Sequence, residues 1–317
     1  MKVTFFFRTP ILLSVLIYLV ISGCVKSNTP NTTVNSNSIT NIIANSGNAT
    51  LIDTAMIKTG LDSVFNFSGP YTYFVTTDQA FVTAGFTNTV FDNLPDSLLR
   101  KIVLYGAIPQ QLTTSEFPAG PDAAMQTQSG DSIFITSNNS GIYVNGTLLA
   151  TQNIIASNGV IHVVGRALLP PAGSILQIAQ EDTSFSYFAA AVARASTGTV
   201  DINSILSGDP FTVFLPVNAA FQNAGYATIN DINNANPDTL SSILEYHILA
   251  QRAFTSDFVT GHLVPTLLPG KNVTCGTLGG VAFGVIGSGN SNEIVISDPN
   301  IVARNGVIHV IGQLLLP

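Results

Sequence analysis

Beyond residue 38 the chain alternates short apolar runs with polar, Asn- and Gly-rich breaks. Apolar residues three and four apart build one helical face over Ile39–Ala44 and a longer one over Leu51–Val64. A similar pair of helices is predicted at Ser174–Gln180 and Phe185–Ala195. The runs Tyr73-Phe74-Val75 and Val213-Phe214-Leu215 are too short for helices and read as buried strands. Each passes into a helix opened by Thr77 or by Pro216, whose ring suits a first helical turn. Pro95-Asp96-Ser97-Leu98 and Pro237-Asp238-Thr239-Leu240 start a further helix in each half, with Asp where the helix dipole favours a negative charge. Those helices end at Tyr105 and Tyr246. Strands are predicted over Ser132–Thr136, Ile142–Val144, Val281–Val285 and Glu293–Ile296, and Asn145-Gly146, Asn158-Gly159 and Asn305-Gly306 are hairpin turn signals. Helices and an antiparallel sheet mix without regular βαβ alternation, so the predicted class is α+β.

The two halves are copies of one unit. Asn158-Gly159-Val160-Ile161-His162-Val163-Val164-Gly165 recurs as Asn305-Gly306-Val307-Ile308-His309-Val310-Ile311-Gly312, and both copies run on into leucines and a proline. Upstream, Tyr73–Phe81 parallels Thr212–Phe221, Ala84-Gly85-Phe86 parallels Ala224-Gly225-Tyr226, and Ile102–Tyr105 parallels Ile243–Tyr246. Five matched blocks in one order mark a tandem duplication. The expected organisation is a leader over 1–23, a polar tether over 24–37, and domains over 38–171 and 172–317.

The leader changes the picture by adding an address. Lys2 and Arg8 precede an apolar stretch, Ile11–Ile21, broken only by Ser14. As a helix it would span about 16 Å, short of the roughly 30 Å hydrocarbon core, which is a signal-peptide pattern rather than a membrane span. It ends in Ile21-Ser22-Gly23-Cys24, which resembles the bacterial lipobox: an aliphatic residue, two small ones, then the cysteine that takes the lipid. Lipid on Cys24 would attach the chain to a membrane of the cell envelope, with the outer membrane expected. The Asn-, Ser- and Thr-rich residues that follow read as a flexible leash.

Composition fits an exported protein. Of 317 residues 46% are hydrophobic and only 9% charged, so the surface must be built from Ser, Thr, Asn, Gln and backbone. A net charge of -7 without a Lys/Arg cluster excludes nucleic acid as a partner, because phosphate binding needs a basic face. With Cys24 lipidated, Cys275 would be alone, and no basic neighbour in sequence would lower its pKa; an inert buried thiol is expected.

Few residues carry chemistry. No Cys-x-x-Cys or His-x-x-x-His spacing suggests a metal, and no Gly-x-Ser-x-Gly elbow suggests a nucleophile. The glycine-rich run Gly276–Gly289 lacks phosphate-loop spacing and is assigned to hairpin turns. His162 and His309 fall mid-strand at matched positions, each needing a hydrogen-bond partner if its face is the core. His247 follows Tyr246 at a helix end, where a positive charge would be favoured. His262 reads as a loop residue. No catalytic residue, metal or cofactor is expected.

The blocks resemble the fasciclin-like family, also called FAS1 or beta-Ig-H3 domains. The second copy carries the family's motifs at Phe211-Thr212-Val213-Phe214-Leu215-Pro216, Phe221, Tyr246-His247 and Asn305–Pro317. The first is looser, with Thr76 in place of Pro and Gly106 where His is expected. The resemblance implies helices packed on a β wedge and a role in adhesion. In animal members the Tyr-His region is linked to integrin contact; that role is not transferred to a bacterial lipoprotein, and Tyr246 and His247 stand as candidate binding residues. Asn158, His162, Asn305 and His309 are assigned to the structural motif. The expected function is that of a lipid-anchored adhesion or binding protein with a protein or glycan ligand. A glycan-binding accessory of a polysaccharide-uptake system is the alternative; with no Trp, its sugar platforms would rest on the 8 Tyr. A hydrolase is a distant third.

Overall fold

The computed structural model describes residues 37–208, 210–278 and 282–317. The leader, most of the tether and Cys24 lie outside the described residues.

Domain 1 opens with helices α1 (Ile39–Ala44), α2 (Thr50–Lys58) and α3 (Leu61–Phe67). The continuous helix expected over Leu51–Val64 is therefore broken. Gly60 takes a left-handed φ of 68°, open to glycine without a side-chain penalty, and this ends α2 and redirects the chain into α3. Strand β1 (Tyr71–Thr76) follows, then α4 (Asp78–Thr83), capped by the Thr77 hydroxyl on the Ala80 N–H at 3.2 Å. Helices α5 (Asn88–Asp92) and α6 (Asp96–Tyr105) lead to strands β2 (Ala107–Ile108), β3 (Gly120–Gln126), β4 (Ser132–Asn138), β5 (Gly141–Val144), β6 (Thr147–Ala156) and β7 (Gly159–Val164).

Domain 2 repeats the order with α7 (Ile175–Glu181), α8 (Ser186–Ala195), α9 (Ile202–Ile205), β8 (Phe211–Pro216), α10 (Asn218–Asn223), α11 (Ile229–Asn234) and α12 (Pro237–Tyr246). Its sheet continues through β9 (Ile248–Leu249), β10 (His262–Pro265), β11 (Asn272–Leu278), β12 (Ala282–Gly287), β13 (Ile294–Ala303) and β14 (Gly306–Ile311). Pro216 does not open a helix as expected; it closes β8, paired with Ile311, and Val217 caps α10. His262 starts a strand rather than lying in a loop. Gly276 and Gly284 sit opposite each other inside β11 and β12, so part of the glycine-rich run is strand rather than turn.

Both sheets have seven strands, ordered β2-β1-β7-β6-β5-β4-β3 and β10-β11-β12-β13-β14-β8-β9. The sheets are mixed, not antiparallel throughout: β1 runs parallel to β7, and β8 to β14. Parallel neighbours need a long crossover, here the rest of the domain. The sheet nearly closes on itself. Gln128 N–H, just past β3, donates to Ala107 O of β2, and Leu267 N–H, just past β10, donates to Ile248 O of β9.

Each domain has two apolar cores, one between helices and sheet and one inside the curled sheet. A smaller cluster joins the domains: Phe134 from β4 packs with Phe254, Val307 and Val302. Among the described residues no helix is long and apolar enough to cross a membrane.

Candidate functional site

The motif residues knit each domain together. Asn305 Oδ1 accepts from Ile175 N–H at 2.9 Å, while its Nδ2 donates to Leu206 O at 2.7 Å and Gly208 O at 3.1 Å. Asn158 does the same with Ile39 N–H, Phe65 O and Ser68 O. One side chain before each hairpin glycine thus ties the first helix and the approach to the first strand to the last strand pair.

His309 is fully buried between Phe214 and Phe258, with ring centroids 5.6 Å away on each side. Its Nε2 donates to Ala253 O at 2.9 Å and its Nδ1 accepts from Asn300 N–H at 3.2 Å, which fixes one neutral tautomer. Burial holds it down to about 4, against the Ala253 bond that favours the charged form. His162 makes the equivalent pair of bonds with Leu112 O and Asn153 N–H, and burial lowers it too.

Neither candidate contact residue reaches solvent. Tyr246 and His247 are both 0% exposed. Tyr246 Oη donates to Asn272 O at 2.7 Å and accepts from Ser288 N–H at 2.9 Å. His247 is not a cation at a helix end. Burial holds it down to about 4, its Nδ1 donates to Ile243 O at 2.7 Å, and its Nε2 accepts the Leu315 N–H at 2.9 Å. Where domain 1 has Gly106, an added Cβ would sit 3.0 Å from Phe74 O, so a histidine there would require the neighbouring strand to give way slightly. Cys275 is buried and its thiol is pushed up to about 12 by burial and by Glu293, so it is not a ready nucleophile.

Sequence reasoning missed Thr72 and Thr212. Each hydroxyl donates across a loop, to Gln110 O and Gln251 O at 2.7 Å, and accepts from Leu112 N–H or Ala253 N–H at 2.8 Å. Threonine at matched positions of the two copies was the available signal.

Polar contacts also join the two domains, and of these the Arg166–Asp298 pair is about half exposed. Arg166 donates to Asp298 Oδ1 at 2.8 Å and Pro299 O at 3.2 Å, and Asn300 Nδ2 donates to Gly146 O at 3.3 Å. Thr136 Oγ1 donates to Asp257 Oδ1 at 2.9 Å, and the Arg252 guanidinium lies 4.0 Å over the Phe134 ring. Beside these contacts opens a cleft of about 540 Å³, lined by the apolar Leu168, Leu169, Ile301 and Val302 and by the polar Thr83 and Asn145. Clefts between domains in this size range are common ligand sites. Among the described residues no three His, Cys, Asp or Glu side chains gather where they could hold a metal ion.

Comparison with known proteins decides the family. The Fasciclin domain matches residues 47–170 and again residues 183–317. The chain belongs to the Fasciclin domain family, in two tandem copies. It is 27% identical over 253 residues to the transforming growth factor-beta-induced protein ig-h3 of Sus scrofa, covering 78% of this chain and 35% of that protein. It is 32% identical over 183 residues to periostin of Homo sapiens, covering 56% and 20%, and 30% identical over 186 residues to Fasciclin-1 of Schistocerca americana, covering 55% and 27%. The chain thus spans between a fifth and about 35% of the length of these relatives. A solved FAS1 domain pair from the insect cell adhesion molecule fasciclin I is 18% identical, covers 86% of this chain and 98% of its own, and has a TM-score of 0.41. The family's link to adhesion is carried by such relatives.

Proposed function

We propose that this fasciclin pair is a non-catalytic binding protein of a bacterial cell envelope, tethered through lipid on Cys24 and contacting an envelope, matrix or host-surface partner. The observation that carries the binding reading is the junction: two domains joined by ion pair, hydrogen bonds and aromatic packing leave a cleft whose lining is mainly apolar. The family's histidines and Tyr246, by contrast, are fully spent on internal bonds. Contacts already made between the domains lower the ordering cost of binding beside them. The tether reading is supported by the lipobox-like Ile21-Ser22-Gly23-Cys24 and the polar residues after it.

The test is capture from matrix glycans and envelope proteins on the immobilised full chain, beside a lipid-anchored control without the domains. Specific enrichment that falls when Ala84→Trp fills the cleft supports the reading. No enrichment over the control would sink it, and enrichment confined to a glycan array would favour the sugar-binding alternative.

A further inference from the structure

The chain enters domain 1 beside the β6–β7 turn. Asn37 O accepts from Ser157 N–H at 2.9 Å, and Ser38 Oγ donates to Asn66 Oδ1 at 2.6 Å. At the same point Asn158 Oδ1 receives Ile39 N–H at 2.9 Å, while its Nδ2 donates to Phe65 O at 2.6 Å and Ser68 O at 2.9 Å. These bonds gather the start of α1, the end of α3 and the β6–β7 turn into one knot.

Apolar side chains stand bare around it. Phe67 lies between the two carbonyls that Asn158 holds, and Ile155 lies two residues before Ser157 on β6; each is 57% exposed. Val64, three residues before Phe67 on the same face of α3, is 37% exposed. A lone bare apolar residue is ordinary, but several around one point mark a contact surface. The segments that meet there, residues 37–50, 63–71 and 151–159, carry no charged side chain.

The second copy lacks this face. Asn305 ties the same knot through Leu206 O and Gly208 O, but only Ser207 lies between them where domain 1 has Asn66-Phe67. Ile155 pairs with Val160 as Val302 pairs with Val307, and Val302 is half-buried against the cluster that Phe134 of domain 1 completes. The matched position is thus covered in domain 2 and bare in domain 1, at the end where the leash joins.

We propose that the face formed by Val64, Phe67 and Ile155 rests on the lipid surface to which the chain is attached. This rests on the reading of Cys24 as the lipid anchor. Fully extended at about 3.4 Å per residue, the leash from Cys24 to Asn37 reaches no more than about 45 Å. So short a flexible link holds domain 1 near the bilayer at an effective concentration of about a millimolar, and a weak apolar contact is then populated. Charged side chains are costly to carry into a bilayer, and the three segments bring none. An uncharged face suits zwitterionic lipid as well as anionic lipid.

The chain has no Trp, so Phe67→Trp installs a single fluorophore on this face. The purified lipidated protein is placed in phosphatidylcholine vesicles with or without bromine on the acyl chains. Emission should fall roughly twofold with bromine, because an interfacial ring sinks about 5–10 Å to the acyl boundary. Leu263→Trp, at a position 68% exposed on β10 of domain 2, should keep its emission. Flotation with the vesicles reports the anchor separately. A chain that floats while Phe67→Trp is quenched no more than Leu263→Trp would overturn the face and leave the anchor standing. A chain that does not float would remove the anchor, and this face with it. Phe67→Trp emission that shifts to the blue with rising protein concentration, without vesicles, would give the face to a second copy and overturn the lipid contact.

Discussion

Removing the ring of His309 tests the internal architecture at one point. In His309→Ala, Ala253 C=O and Asn300 N–H are left buried without partners, at about 1–3 kcal/mol each. Lost contact with Phe214 and Phe258 adds about 1 kcal/mol. The expected destabilisation at pH 7.5 is about 4 kcal/mol. The penalty should also depend on pH. Burial lowers His309 from 6.5 in the unfolded chain to about 4 when folded. Wild-type stability from this group is therefore full above pH 6.5 and is lost as pH falls toward 4, at about 1.4 kcal/mol per pH unit. By pH 5 the wild type has given up about 2 kcal/mol that the variant never had, so the penalty should shrink to about 2 kcal/mol. His247 titrates in both proteins and cancels. Urea unfolding followed by far-UV circular dichroism at the two pH values measures this, since the chain has no Trp to report. A penalty equal at both pH values would show that His309 ionises freely, and the buried neutral histidine would be refuted.

Two further perturbations probe the repeat and the junction. Gly306 and Gly159 have φ of 154° and 155°, and a Cβ at either would overlap the carbonyl oxygen of Phe211 or Tyr71 on the parallel strand. Gly306→Ala should therefore cost about 3 kcal/mol or more in thermal or urea unfolding, while Gly312→Ala, with open space around it, should cost under about 0.5 kcal/mol. A double-mutant cycle of Phe134→Ala and Phe254→Ala, whose rings lie 5.8 Å apart, should return a coupling of about 0.5–1.5 kcal/mol. Strict additivity would mean that the two rings do not meet in solution.

Much of each domain was legible in the chain because the duplication writes the pattern twice. The Asn-Gly-Val-Ile-His blocks fell on the last hairpin of both copies, and Asn145-Gly146 forms the preceding β5–β6 turn with φ of 47° and 74°, the double positive that a tight hairpin requires. The parallel pairing was hidden because β1 and β7 stand at opposite ends of the domain sequence, where no local signal links them. Strand β3 was hidden because Gly120-Pro121-Asp122-Ala123-Ala124 has neither alternation nor β-branched residues; it is an edge that closes the sheet through its neighbours. The candidate site escaped for the complementary reason. Arg166 aligns with Gln313, and Phe134, Phe254 and Asp257 are features of one copy or the other, so a search for what the repeats share passes over them. The differences between copies mark where the domains touch. Tyr246 and His247 stood out as a motif, yet burial makes them parts of the scaffold.

The proposed attachment of this pair of domains to a membrane surface rests on lipid at Cys24. Growth with an alkyne-bearing fatty acid, followed by fractionation and detection of the label on the full chain, tests it directly. The wild-type chain should carry the label and travel with the membranes, while Cys24→Ala should be unlabelled and released. A wild-type chain without label, or a Cys24→Ala chain that keeps it, would contradict the account.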